Sequence, residues 1–277
     1  MRATAENAEL ALLLEVAGTP KPGNVDRHRE YPDLRFEHFL AGAVGARPGL
    51  AMAADGAPIG ESFRRAIEGM SDQRGGNTQF GAVLLLAPLV AAAGSGDLSP
   101  DGATAAARET TVADAADFYW AFESVDVAVD DPPEDMEALD VRRGGDAVPE
   151  LERRGLTLWD VMERSADGDG VAREWVGGFE RTFGAAEAIA DGDGPVADRA
   201  ADVFLDLLAE EVDTFVVTQH DRATAERVTE RARTARDGEV DPETLADEFV
   251  DEGINPGTTA DTVAGGLFVA LERGLGV

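Results

Sequence analysis

Phe80-Gly81-Ala82-Val83-Leu84-Leu85-Leu86-Ala87-Pro88-Leu89-Val90-Ala91-Ala92-Ala93-Gly94 is the longest apolar run in the chain. A bilayer span takes about 20 apolar residues, and this run has 15 with a proline inside it. It therefore reads as a helix buried on all sides by protein. A helix of that kind needs other helices around it, each with one apolar face turned inward.

The flanking sequence supplies them. Apolar positions recur at helical spacing over 6–16, 36–44, 60–70, 156–165, 172–189, 196–211, 223–236, 241–250 and 259–273. The alanine-rich stretch 103–123 reads as one or two further helices. Period-2 alternation is nearly absent; the β-like run Thr214-Phe215-Val216-Val217-Thr218 is short and can equally close a helix. The expectation is a single all-α domain over residues 1–277 with roughly ten helices. Residues 125–154, with Asp130-Asp131-Pro132-Pro133-Glu134-Asp135 and Arg142-Arg143-Gly144-Gly145, read as an exposed insertion.

Composition narrows the function classes. The formal net charge is −31, with 55 acidic residues against 24 basic ones. The carboxylates are spread along the chain, and all but one of the basic residues are arginine. Such charge repels itself in dilute buffer and is screened in molar salt, where the Debye length is about 3 Å. We read it as adaptation to a salty cytoplasm. With no basic stripe, nucleic acid is not an expected partner. The N-terminus carries glutamates where a signal peptide would be apolar, and no membrane partner is expected. There is no cysteine, so thiolate chemistry is excluded. His28, His38 and His220 are too scattered for a metal triad. Trp120, Trp159 and Trp175 read as packing residues.

Three polar loops interrupt the helical pattern. The first is Pro20-Lys21-Pro22-Gly23-Asn24-Val25-Asp26-Arg27-His28, where two prolines stiffen the backbone around the chain's only lysine. A compact ammonium suits phosphate. Gly23 permits close backbone approach. The second is Gly75-Gly76-Asn77-Thr78-Gln79-Phe80-Gly81, directly before the apolar helix. Asn77 or Thr78 can cap that helix, and its amides with the two glycines can hold an anion. The third is Gly253-Ile254-Asn255-Pro256-Gly257-Thr258-Thr259-Ala260-Asp261. Thr258 and Asp261 have capping-box spacing, which leaves the preceding Gly-Ile-Asn-Pro-Gly unexplained.

These loops, in this order and over nearly the whole chain, resemble the triphosphoribosyl-dephospho-CoA synthase family. Ala172-Arg173-Glu174-Trp175 and Asp213-Thr214 add two weaker points of similarity. The resemblance implies an all-helical enzyme that transfers the ribose C1′ of ATP to a ribose hydroxyl of 3′-dephospho-CoA, releasing adenine. It places Asp26, Glu174, Asp213 and Asp261 as candidate catalytic carboxylates. Asp26, Asp213 and Asp261 are also candidate Mg²⁺ ligands. Lys21, Gly23, Asn24, Arg27, His28, Gly75, Gly76, Asn77, Thr78, Arg173, Asn255, Gly257 and Thr258 are candidate substrate and phosphate contacts. The partners are then small nucleotides; the oligomeric state stays open.

Two departures stand against the family pattern. Its second loop reads closer to Asn-Thr-His-Lys-Gly, whereas Gln79 and Phe80 stand here. After Asp213-Thr214 its members carry basic residues, whereas Thr218 and Gln219 occupy that stretch. A related transferase or hydrolase acting on another cofactor precursor, and a non-catalytic nucleotide sensor, are the alternative readings.

Overall fold

The apolar run forms α4 (Phe80–Ser95), and most of its residues are buried. The computed structural model describes residues 2–132 and 136–277. Met1 lies outside the described residues, as do Pro133, Glu134 and Asp135 of the acidic Pro-Pro run. Around α4 pack α1 (Thr4–Ala17), α2 (Phe36–Ala54), α3 (Ile59–Met70) and α15 (Gly257–Glu272). Helix α15 is as buried as α4 and carries the core on to α10 (Glu180–Asp191) and α11 (Val196–Glu210). Helix α13 (Arg222–Arg236) covers α11, and α12 (Thr214–Gln219) and α14 (Pro242–Asp251) cover α13. The opposite end is built from α5 (Pro100–Arg108), α6 (Val112–Ala121), α7 (Val148–Arg154), α8 (Leu158–Ser165) and α9 (Gly170–Val176).

No strand occurs among the described residues, which hold fifteen α-helices where roughly ten were expected. The excess comes from breaks that periodicity does not register. The alanine-rich stretch divides at Thr111, which caps α6 by accepting from the Asp114 amide while Asp114 Oδ2 accepts from the Thr111 amide at 2.7 Å. The stretch 172–189 divides where Gly178 and Phe179 adopt positive φ between α9 and α10. The β-like run becomes the short helix α12, because Asp213 caps it.

The described residues of 125–154 combine exposed positions with packed ones. They contain 3-10 turns at Glu137–Leu139 and Val141–Ala147 before α7, and Leu139, Ala147 and Leu151 are buried. Tyr119 donates to Leu139 O at 2.6 Å, and the Glu123 carboxylate accepts from the Gly145 amide at 3.0 Å. Residues 127–132, 136 and 139–141 line the cavity described below.

The proline inside α4 has a specific remedy. Pro88 has no N–H, so Leu84 O loses its helical donor. The indole of the fully buried Trp175 donates to that carbonyl at 3.2 Å. Trp175→Phe leaves the carbonyl unpaired, and we expect a loss of about 1–3 kcal/mol in urea unfolding. An unchanged midpoint would mean that Leu84 O is satisfied without the indole.

Candidate functional site

All three loops contribute residues to one cavity of about 560 Å³. Asn24 comes from the first, Asn77 and Thr78 from the second, and Asn255, Gly257, Thr258 and Asp261 from the third. The first and third loops are locked together. Asn24 Nδ2 donates to Asn255 Oδ1 at 2.9 Å, and the Tyr31 hydroxyl lies 2.6 Å from Gly23 O and 2.8 Å from Ile254 O. Gly23 has φ 78°, and a Cβ there would lie 2.3 Å from Ile254 O. Only glycine fits both the conformation and the contact.

The cavity has two unlike halves. One is aromatic and aliphatic, formed by Phe80, Phe118, Tyr119 and Phe122 with Leu139 and Met162. Phe80 and Phe122 have ring centroids 4.8 Å apart, and Phe63 closes the cluster from behind at 5.1 Å from Phe80. Residues 127–132 line the same cavity. The other half is polar, and the N-terminal residues of α4, α9, α12 and α15 line it. Helix N-termini carry partial positive charge. That compensation is needed, because Arg164 is the only cationic side chain lining the cavity among the described residues.

The four candidate carboxylates have different environments. Asp26 is buried and accepts from the His28 amide at 2.7 Å, the Arg29 amide at 2.9 Å and the Thr19 hydroxyl at 2.8 Å. It ties its own loop together and does not line the cavity. Glu174 accepts from Thr182 N at 2.8 Å and Thr182 Oγ1 at 2.7 Å, which anchors the start of α10. Asp213 caps α12 through Oδ1, and its Oδ2 accepts from the amide and hydroxyl of Thr259, both at 2.7 Å. Burial raises the pKa of Asp213, and those donors work against the rise. In each of these three, both oxygens or the whole carboxylate serve as structural clasps.

Asp261 is different. It lines the cavity at the start of α4, and a Cβ on Gly81 would lie 2.0 Å from its Oδ2. Burial holds its pKa well above the usual carboxylate range. The negative charges of Glu15, Asp213 and Asp169 push the same way, and the Ala82 amide opposes them. No ion pair involving Asp261 occurs among the described residues.

Glu15 and Asp169 are cavity carboxylates that the sequence reading did not single out. Glu15, near the end of α1, lines the cavity and pairs with Lys21. Burial raises its pKa, the Lys21 ammonium lowers it, and the Asp26 charge raises it again. Asp169 uses Oδ1 to accept from Val171 N at 2.8 Å and Ala172 N at 3.1 Å, capping α9. Its Oδ2 has no protein donor among the described residues. The residue keeps solvent access, but desolvation by the protein around it raises its pKa against those two amides and Arg173. Glu15 had one available signal, as a lone charge inside the apolar stretch 10–16. For Asp169 the signal was Asp-Gly directly ahead of a helix.

The candidate phosphate contacts divide in the same way. Lys21 is fully buried and does not reach the cavity; its ammonium donates to Glu15 and, at 2.9 Å, to Asn24 Oδ1. Arg27 is exposed and pairs with Asp198 at 3.2 Å. His28 is exposed. Gly75 packs on the His38 ring, and Gly76 O accepts from Gln73 Nε2 at 2.7 Å, so both belong to a turn outside the cavity. Arg173 pairs with Glu211 instead of facing inward. Of the departures from the family pattern, Gln79, Phe80 and Thr218 line the cavity and Gln219 does not. Gln79 donates to Leu12 O at 3.3 Å, and Phe80 joins the aromatic lobe.

No single helix among the described residues is long and apolar enough to cross a membrane. No group of three or more His, Cys, Asp or Glu side chains among them converges as a metal site.

Comparison with known proteins follows the same lines. No curated protein matches the chain. A crystal structure from Archaeoglobus fulgidus, assigned as a triphosphoribosyl-dephospho-CoA synthase, is similar with a TM-score of 0.68 and 27% identity. The match covers 85% of this chain and 99% of that one. The model of the CitG family, ATP:dephospho-CoA triphosphoribosyl transferase, matches residues 1–276. By fold, by the three loops in order and by that whole-length match, the chain belongs to the ATP:dephospho-CoA triphosphoribosyl transferase family.

Proposed function

We propose that the cavity brings ATP and 3′-dephospho-CoA together and moves the ribose C1′ of ATP onto a ribose hydroxyl of the acceptor. The C1′–N bond to adenine breaks, a C1′–O bond forms, the hydroxyl loses its proton and adenine takes one up. The observation that carries this reading is Asp261, a cavity carboxylate with raised proton affinity and no ion-pair partner among the described residues. Such a group can stabilise positive charge developing at C1′ and accept the hydroxyl proton. Phe80, Phe118 and Phe122 offer an apolar face for an adenine base. The N-termini of α4 and α15 favour phosphate nearby.

Mg²⁺ fits this donor set. It is commonly held by one or two carboxylates together with substrate phosphates. Asp169, with one oxygen free of protein donors, would hold it, and when bound it would neutralise phosphate charge. Asp26 and Asp213 have their oxygens engaged elsewhere.

The scarcity of cations in the cavity favours one second reading, transfer to a different cofactor precursor. Incubation with ATP, Mg²⁺ and dephospho-CoA in molar KCl separates the two. Free adenine released only with dephospho-CoA supports the first reading. No adenine with that acceptor, and release with another nucleotide, supports the second. Adenine release with no acceptor would mean hydrolysis, and ATP binding without any product would mean a sensor.

The same proposal places the enzyme in a salt-rich cytoplasm. Raising KCl from 0.1 M toward 2 M shortens the Debye length from about 10 Å to under about 3 Å. We expect the thermal midpoint to rise by at least about 5 °C, since about 2 kcal/mol moves a domain of this size that far. A midpoint that is flat or falls with KCl would refute the adaptation.

A further inference from the structure

We infer that Glu15 is a substrate-contacting residue that accepts a hydrogen bond from a ribose hydroxyl, and that Lys21 is its positioning residue. The inference rests on the nucleotide reading above.

The geometry has three parts. Glu15 is almost wholly buried, yet it lines the polar half of the cavity. One carboxylate oxygen receives the Lys21 ammonium; Oε2 accepts no hydrogen bond from the described residues and is not among the sealed, unpartnered buried atoms. It is an open acceptor facing the ligand space. The second part is a relay along the cavity wall. Lys21 donates to Glu15 and to Asn24 Oδ1, and Asn24 donates to Asn255 Oδ1, both amide contacts being 2.9 Å. This fixes the rotamer of Asn255 and leaves its Nδ2 as a donor without a protein partner among the described residues. An open carboxylate oxygen and an open amide donor on one relay suit vicinal hydroxyls, one donating and the other accepting. The third part is Lys21 itself. It has no accessible surface, and the Phe204 ring lies 5.9 Å from its ammonium. It cannot touch a ligand, so its influence runs through Glu15 and Asn24. A slot of this shape takes a compact ammonium and not a planar guanidinium, which fits the retention of one lysine in an arginine-rich chain.

The test uses the full chain in molar KCl, with adenosine, 2′-deoxyadenosine and 3′-deoxyadenosine titrated calorimetrically into wild type, Glu15→Gln and the double variant Glu15→Gln/Lys21→Met. Glu15→Gln leaves the Lys21 ammonium with only the Asn24 amide, the double variant leaves no buried ion unpaired, and circular dichroism checks that both fold. Wild type should prefer adenosine over at least one deoxy analogue by about tenfold or more, as expected for a hydrogen bond to a charged group. In Glu15→Gln that preference should shrink to about twofold, and the double variant should lose nothing further. Displacement of adenosine by ATP and by dephospho-CoA identifies which nucleotide carries the hydroxyls, as the one whose affinity falls in Glu15→Gln.

Four results would overturn the inference: no adenosine binding by wild type, no hydroxyl preference, a preference kept in Glu15→Gln, or a further independent loss in the double variant. Adenine release by wild type with an unchanged preference in Glu15→Gln removes the inference and keeps the proposed function. A lost preference without any adenine release does the reverse.

Discussion

Asp261→Asn lowers adenine release by about 10²–10⁴-fold, the usual contribution of a positioned acid or base, while the helical circular dichroism stays intact. It also raises stability at neutral pH. The carboxylate is half-buried, desolvated by the surrounding protein and repelled by Glu15, Asp213 and Asp169. Its folded pKa is raised well above the unfolded value, so between the two the native state holds a proton that the unfolded chain has released. Stability therefore falls as pH rises through that window, and above the folded pKa the loss is complete. Asparagine removes this slope. The variant should show a higher urea midpoint at pH 7 and a flatter pH dependence of stability than wild type. Unchanged turnover removes Asp261 from the reaction. A lower midpoint would mean that protein donors stabilise the charged form, contrary to its surroundings. The opposed signs are typical of active-site groups, which are kept for chemistry at some cost in stability.

Lys21→Met lowers stability by about 3–5 kcal/mol, because breaking a buried ion pair leaves one charge uncompensated. Here that charge is Glu15, and the Asn24 amide oxygen loses its donor as well. Set against a typical total of about 5–15 kcal/mol, the variant should unfold at markedly lower urea. Adding Glu15→Gln should restore most of the loss, since neutral groups of similar shape replace the pair. The pair need not be a net stabiliser. The pKa of Glu15 remains raised despite the ammonium, so its ionisation opposes folding as pH rises through the folded pKa. What costs the fold most is one partner without the other. Urea unfolding of both variants in molar KCl checks this, and a double variant no more stable than Lys21→Met would show that Lys21 acts through something other than Glu15.

The all-α architecture was legible in the chain because helical periodicity is local. The apolar run at 80–94 became the central helix, and most other periodic stretches became helices close to their expected bounds. The order of the three polar loops was legible too, and with it the family. Local sequence also marked breaks that were read too coarsely, such as the capping pair Thr111 and Asp114 and the Gly-Phe turn before α10.

Only the tertiary structure decided which polar residues line the cavity. Asp213 and Asp261 belong to equally suggestive motifs, but Thr259 lies 46 positions from Asp213 and occupies one of its oxygens with two donors, while Asp261 meets only the Ala82 amide. Lys21 suggested phosphate, and packing against Phe204 and Glu15 enclosed it completely. Residues 125–154 gave no local sign of packing, yet among the described ones the side chains at 139, 147 and 151 are buried and 127–132 line the cavity. The physical reason is common to all three. A periodic pattern depends on neighbours three or four positions away, whereas the partner of a hydrogen bond, a buried charge or a cavity wall comes from residues far along the chain, brought near only by folding.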